Sequence, residues 1–142
     1  MRAEGWLTAR RILCVFPRYT SSFGTFEYAY PLTDGVQAFM PPQGILLIAA
    51  YLPENWDVCF VDENIRPATA EEMAWADAVF VSGMHIQQRQ IIDICQRAHQ
   101  AGRTAVLGGP SVSACPDHYP MFDYLHIGEL GDATDDLIRR LA

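Results

Sequence analysis

Five short apolar runs recur along the chain, at Ile12 to Phe16, Val58 to Val61, Ala78 to Val81, Thr104 to Leu107 and Tyr124 to Ile127. They are rich in Val, Ile, Phe and Leu and do not alternate with polar residues, which is the pattern of strands covered on both faces. Helical signals fall between them. Gln43 to Leu52 follows Pro41 and Pro42, and proline is tolerated at a helix start because that amide has no partner inside the helix. The segment is apolar all round, so it predicts a helix that is deeply buried or covered by something else. Thr69 with Glu72 reads as a capping box opening a short helix through Trp75. Ile86 to Ala101 puts Ile91, Ile94, Cys95 and Ala98 on one face and stops at Gly102. A last helix, Asp132 to Leu141, carries Asp132, Asp135 and Asp136 near its positive end and Arg139 and Arg140 near its negative end.

Strand and helix alternate throughout, which predicts an α/β fold: a doubly wound, five-stranded parallel sheet of the Rossmann-like or flavodoxin-like kind. The 142 residues, half of them apolar, suffice for one core. Residues 1–10 read as an N-terminal extension and residues 11–142 as the domain. In such sheets a ligand sits beyond the carboxyl ends of the strands. Here those ends read Pro17-Arg18-Tyr19, Asp62-Glu63-Asn64, Ser82-Gly83-Met84-His85, Gly108-Gly109-Pro110-Ser111 and Gly128-Glu129. All are small, polar or sharply turning.

The net charge of -7, without a basic run, speaks against nucleic acid or an anionic membrane as partner. No lysine is present, which removes Schiff-base and P-loop chemistry. Cys14, Cys59, Cys95 and Cys115 are scattered, with neither CxxC nor CxxxCxxC spacing, so they read as reduced thiols of a cytoplasmic protein and not as cluster ligands. Met1 to Arg11 has no apolar stretch of the signal-peptide kind, and Gly44 to Leu52 is too short to span a bilayer. The nucleotide motifs GxGxxG and GxxxxGK[ST] are missing. Thr20 to Thr25 resembles the hydroxyl-rich phosphate loop of flavodoxins, which keeps a flavin mononucleotide electron carrier open as an alternative, beside a ligand-free interaction module. The connection from Pro17 to Pro42 is unusually long, and Tyr19, Phe23, Phe26, Tyr28, Tyr30 and Phe39 make it too aromatic for a disordered linker. Such residues suit a large flat apolar surface, or pack over the sheet edge or a neighbouring domain.

Val81-Ser82-Gly83-Met84-His85-Ile86, a helix ending at Gly102, and Val106-Leu107-Gly108-Gly109-Pro110 resemble the serine and paired-glycine segments of cobalamin-binding domains. A bulky tail passes close to a sheet only where side chains are absent or small. Pro41-Pro42-Gln43-Gly44, Asp62-Glu63-Asn64, Trp75-Ala76-Asp77 and Ile127-Gly128-Glu129 are similar to the N-terminal, cobalamin (B12)-binding domains of cobalamin-dependent radical S-adenosylmethionine proteins. The resemblance runs from about Arg11 to the C-terminus. It implies cobalamin as cofactor, with Ser82, Gly83, Gly108 and Gly109 along its nucleotide tail and Pro110, Gly128 and Glu129 at the same edge. It implies contacts to the corrin and its amide arms from Arg18, Tyr19 and Thr20, from Asp62, Glu63 and Asn64, and from Met84, His85 and Gln87.

The DxHxxG motif whose histidine ligates cobalt in other cobalamin domains is absent, so the resemblance implies base-off cobalamin without a histidine from that loop. His85 lies where it could approach the lower face, as do Gln87 and Arg18; no metal ligand is assigned. His99, His118 and His126, the last within a strand, read as structural. In the enzymes resembled, a downstream barrel carries an iron–sulfur cluster and S-adenosylmethionine and performs the methyltransferase-like chemistry. This chain holds no complete active site and supplies cofactor binding, as a fragment or a stand-alone protein with a radical S-adenosylmethionine domain, a subunit or a second copy as partner.

Overall fold

The computed structural model describes residues 7–38 and 40–142, with Phe23 by its backbone; Phe39 and residues 1–6 lie outside the described residues. Five parallel strands form the sheet: β1 (Arg11–Phe16), β2 (Asp57–Asp62), β3 (Ala78–Ser82), β4 (Thr104–Gly108) and β5 (Tyr124–Leu125). Their order is β2-β1-β3-β4-β5. The helices are α1 (Gln43–Tyr51), α2 (Ala70–Trp75), α3 (Gln88–Gln100), α4 (Pro110–Ala114) and α5 (Asp132–Leu141). This is the doubly wound α/β architecture that the run of apolar segments predicts.

Side chains alternate across a strand, so each strand feeds two cores. Leu13, Val15, Val79, Val81, Ala105 and Leu107 join Met73 of α2 and the Ile91, Ile94, Cys95 and Ala98 stripe of α3. Ile12, Cys14, Ala78, Phe80 and Val106 join Ile45 of α1 and Leu137 and Ile138 of α5. Leu7 is buried in this second core, and the Trp56 indole N–H donates to the Thr8 carbonyl (2.9 Å), so the segment before β1 packs onto the domain.

The local signals fold as their chemistry dictates. The Thr69 hydroxyl accepts from the Glu72 amide (3.1 Å), and the Glu72 carboxylate accepts from the Thr69 amide (2.9 Å), completing the capping box of α2. Gly102, at φ 70°, ends α3. In α1, Ile45 is buried but Leu47 is 57% exposed, because one sheet can bury one stripe of a helix that is apolar all round. One expectation, the extent of the last strand, needs correction. The last strand stops at Leu125: Gly128 turns the chain at φ 85° and its amide is held by the Ser113 hydroxyl (3.0 Å), so His126 stands beyond the strand. The long first connection contains 3-10 turns at Phe23–Thr25 and Glu27–Leu32. Among the described residues no helix is long and apolar enough to cross a membrane.

Candidate functional site

β1 pairs with β2 on one side and β3 on the other, so the chain's crossovers diverge there and leave the carboxyl edge of the sheet open. Beyond the ends of β3 and β4 this edge opens into a cleft of about 370 Å³ between α1 and α5. Phe80 and Val106 form its floor, and Ile45, Leu47, Ile48 and Leu137 its apolar walls. Ser82, Ser113, His126 and Glu129 supply polar groups. The glycines decide how close a ligand can come. A Cβ placed on Gly44 or Gly128 would meet no atom within 4 Å, and one on Gly108 would make an ordinary 3.5 Å contact with the His126 Cβ. Backbone is therefore exposed to the cleft at positions where the fold itself would tolerate a methyl group at Gly44 and Gly108. Gly109 differs. At φ 98° its missing Cβ would stand 2.6 Å from the Ser82 Oγ, so this glycine lets the ends of β3 and β4 press together.

His126 is 7% exposed, and its Nε2 lies 2.7 Å from the Thr134 Oγ1 on α5. Burial pushes the imidazole below the usual histidine range, against the smaller opposing effects of its own backbone carbonyl and Glu129, so the ring is neutral at neutral pH. An apolar-walled cleft with a polar rim and exposed glycine backbone suits a flat apolar group on a polar tether.

A second hollow, of about 240 Å³, opens beside the end of β1 and is lined by Arg18, Tyr19, Ser21, Glu27, Tyr30, Gln37, Ala38 and Asn64. Its shape depends on two polar clamps. The Asn64 Oδ1 accepts from the Tyr19 amide (2.9 Å), while its Nδ2 donates to Asp62 (2.8 Å) and to the Pro17 carbonyl (3.3 Å). Gln87 is fully buried, donates to the Pro17 carbonyl (2.6 Å) and accepts from the Met84 amide (2.8 Å). The Thr20 hydroxyl donates to the Ile86 carbonyl (3.4 Å). Thus Asp62, Asn64 and Gln87 spend their hydrogen bonds on tying the loops after β1, β2 and β3 to one another.

The remaining predicted positions scatter. Glu63 accepts from Arg97 of α3 (2.6 and 3.0 Å) and from the Ala68 amide (2.7 Å). Gly83 faces α3, where a Cβ would stand 3.0 Å from the Ile91 Cδ1. Met84 and His85 are exposed, with the His85 Nδ1 3.2 Å from the Ser111 hydroxyl. The cleft gathers Ser82, Gly108, Gly109, Pro110, Gly128 and Glu129, and the second hollow Arg18, Tyr19 and Asn64. Sequence reasoning did not select Gly44, Ser113 or His126 as site residues. Gly44 was visible in Pro41-Pro42-Gln43-Gly44; His126 was hidden, since nothing in the run Tyr124 to Ile127 marks where pairing stops.

Three hydroxyls of the flavodoxin-like segment are held by protein groups: Thr20 by the Ile86 carbonyl, and Ser21 and Thr25 closer by. Ser21 donates to Glu27 (2.6 Å), and the Thr25 Oγ1 accepts from the Ser22 amide (3.1 Å) and donates to the Ser22 carbonyl (2.8 Å).

A family model described as "B12 binding domain" matches residues 31–138. The chain belongs to the B12-binding domain family. The resemblance seen in the order of its serine, paired-glycine and Pro-Pro segments therefore holds, and the cofactor of this family is cobalamin. Over 141 residues the B12-binding domain is 72% identical to the hopanoid C-2 methylase of Rhodopseudomonas palustris (strain TIE-1), a match covering 99% of this chain and 27% of that protein. Over 107 residues it is 32% identical to an uncharacterized methyltransferase of Synechocystis sp., covering 75% of this chain and 20% of that one. The chain thus spans about a quarter or less of the length of the curated relatives it matches.

Proposed function

We propose that this B12-binding domain holds cobalamin base-off, with the benzimidazole nucleotide tail in the cleft between α1 and α5, as the cofactor domain of a cytoplasmic radical S-adenosylmethionine methylase. The cleft carries the reading. Its apolar walls, Ile45, Ile48, Phe80, Val106 and Leu137, match a benzimidazole ring, while Ser82, Ser113 and the glycine backbone at Gly108 and Gly128 match a ribose-phosphate tether. At the end of β1, Pro17-Arg18-Tyr19 stands where other cobalamin domains place a ligating histidine. Residues 11–142 form the cofactor domain, with the segment from Leu7 packed onto it.

Bound cobalamin supplies a cobalt centre that carries a methyl group. The chain's own residues bind and orient. Asn64 and Gln87 fix the loops after β1, β2 and β3, so Arg18, Tyr19 and Thr20 present a rigid surface to the amide-fringed corrin. The apolar cleft excludes water from the tail. The iron–sulfur cluster and S-adenosylmethionine belong to a partner domain, an assignment supported by the greater length of the methylase relative. Its name makes C-2 methylation of a hopanoid the reaction proposed for the whole protein.

Mixing the purified protein with hydroxocobalamin, desalting in dim light and recording the visible spectrum tests the reading. Stoichiometric retention with a spectrum lacking benzimidazole ligation is expected. A folded protein that retains no cobalamin, or retains it with benzimidazole still on cobalt, overturns it.

A further inference from the structure

We infer that His85 and His118 form a two-histidine site for a divalent late transition metal, of the nickel(II) or zinc(II) kind, independent of the cobalamin reading. The residues come from separate 3-10 turns: His85 from His85–Gln87, after β3, and His118 from Pro116–His118, after α4. Folding brings their rings to 5.5 Å between centroids, tilted by 48°. An imidazole nitrogen binds zinc at about 2.1 Å, so two rings sharing one tetrahedral ion stand with their centroids roughly 5 Å apart. The observed pair is close to that spacing.

One ring is anchored and the other is free to adjust. The His85 Nδ1 lies 3.2 Å from the Ser111 hydroxyl, which in turn bonds the Tyr119 hydroxyl. Ser111 is 3% exposed and Tyr119 fully buried, so these two hold the His85 ring from the protein side. Such a partner on one nitrogen is what orients a metal-binding histidine. A serine hydroxyl serves either tautomer, because it accepts from an Nδ1–H as readily as it donates to a bare Nδ1. Metal binding at Nε2 therefore keeps this contact, with the ring proton on Nδ1. Nε2 itself has no hydrogen-bond partner among the described residues. His118 is exposed, and its ring nitrogens have no hydrogen-bond partner among the described residues, so turning one toward the ion breaks no bond. No group of three or more histidine, cysteine, aspartate or glutamate side chains is placed for a metal among the described residues, so water completes the coordination. Imidazole ligands suit nickel and zinc, and two of them with water make an exchangeable site. A bound ion ties the turn after β3 to the turn after α4 and stabilises the folded domain.

The test uses tag-free protein stripped with a chelator and titrated with nickel(II) by calorimetry, with melting curves taken with and without the metal. Wild type is expected to bind one equivalent and to melt higher with nickel. His85→Ala and His118→Ala, each folded, are expected to lose affinity at least about tenfold and to lose the rise in melting temperature, since one imidazole remains. His99→Ala, which removes another exposed histidine, is expected to bind as wild type does. A folded wild-type protein that binds no nickel overturns the inference. So does wild-type affinity in either His85→Ala or His118→Ala, or a loss in His99→Ala as large as theirs.

Discussion

Ser82 and Gly109 meet where β3 and β4 end: a Cβ on Gly109 would stand 2.6 Å from the Ser82 Oγ and 3.2 Å from the Gly83 amide nitrogen. The paired glycines therefore do different work. Gly109 has φ 98° and ψ -175°, a conformation almost confined to glycine, whereas Gly108 has free space for a small side chain next to the cleft.

Substituting the two should separate folding from binding. Gly109→Ala combines backbone strain with a steric clash and is expected to cost about 3 kcal/mol in urea denaturation. Gly108→Leu is expected to melt close to wild type while filling the cleft, with cobalamin affinity down at least about tenfold. If the folded Gly108→Leu protein binds cobalamin as tightly as wild type, the tail does not lie in this cleft.

Glu63 tests which strand-end residues serve the ligand and which serve the fold. Its buried carboxylate holds Arg97 at 2.6 Å and the Ala68 amide at 2.7 Å. Glu63→Ala leaves the guanidinium without its closest partner and is expected to cost about 3 kcal/mol, with cobalamin affinity unchanged once the variant is folded. Weakened binding at wild-type stability would instead place Glu63 against the corrin.

The capping box of α2 should respond to acid. The Arg66 side chain bonded to Glu72, with the Thr69 backbone and hydroxyl adding to it against some burial, holds the Glu72 carboxyl down at about 2, from an ordinary 4.5. A carboxyl depressed in the folded state contributes stability that is complete above its unfolded value and is lost as pH falls through the folded one. The difference in melting temperature between wild type and Glu72→Gln is therefore expected to be constant from pH 7 to about 5 and to shrink between about 5 and 2. A difference that does not change across that window would show that the Arg66–Glu72 pair adds nothing to the folded state.

Much of this protein was legible in one dimension because burial on both faces of a sheet leaves a mark on composition. β1, β3 and β4 read as unbroken apolar runs since helices cover them on each side. α3 was legible from its 3.6-residue stripe and α2 from a capping box, both local effects. α4 was not, for Pro110–Ala114 is too short to show a period. The small residues at the ends of β3 and β4 could be picked out as a ligand edge, yet the sequence could not tell Gly108, which opens onto the cleft, from Gly109, which relieves a contact with Ser82, or Gly83, which makes room for Ile91.

Local chemistry, then, determined the elements, the α/β class and the edge of the sheet that faces a ligand, because propensity, capping and apolar patterning act between residues close in the chain. The packing of distant segments decided the rest: the order β2-β1-β3-β4-β5, the cleft where α1 meets α5, and the surroundings of His126. His126 meets Gly108 of β4 and Thr134 of α5, and no pattern along the chain records that those elements will meet there.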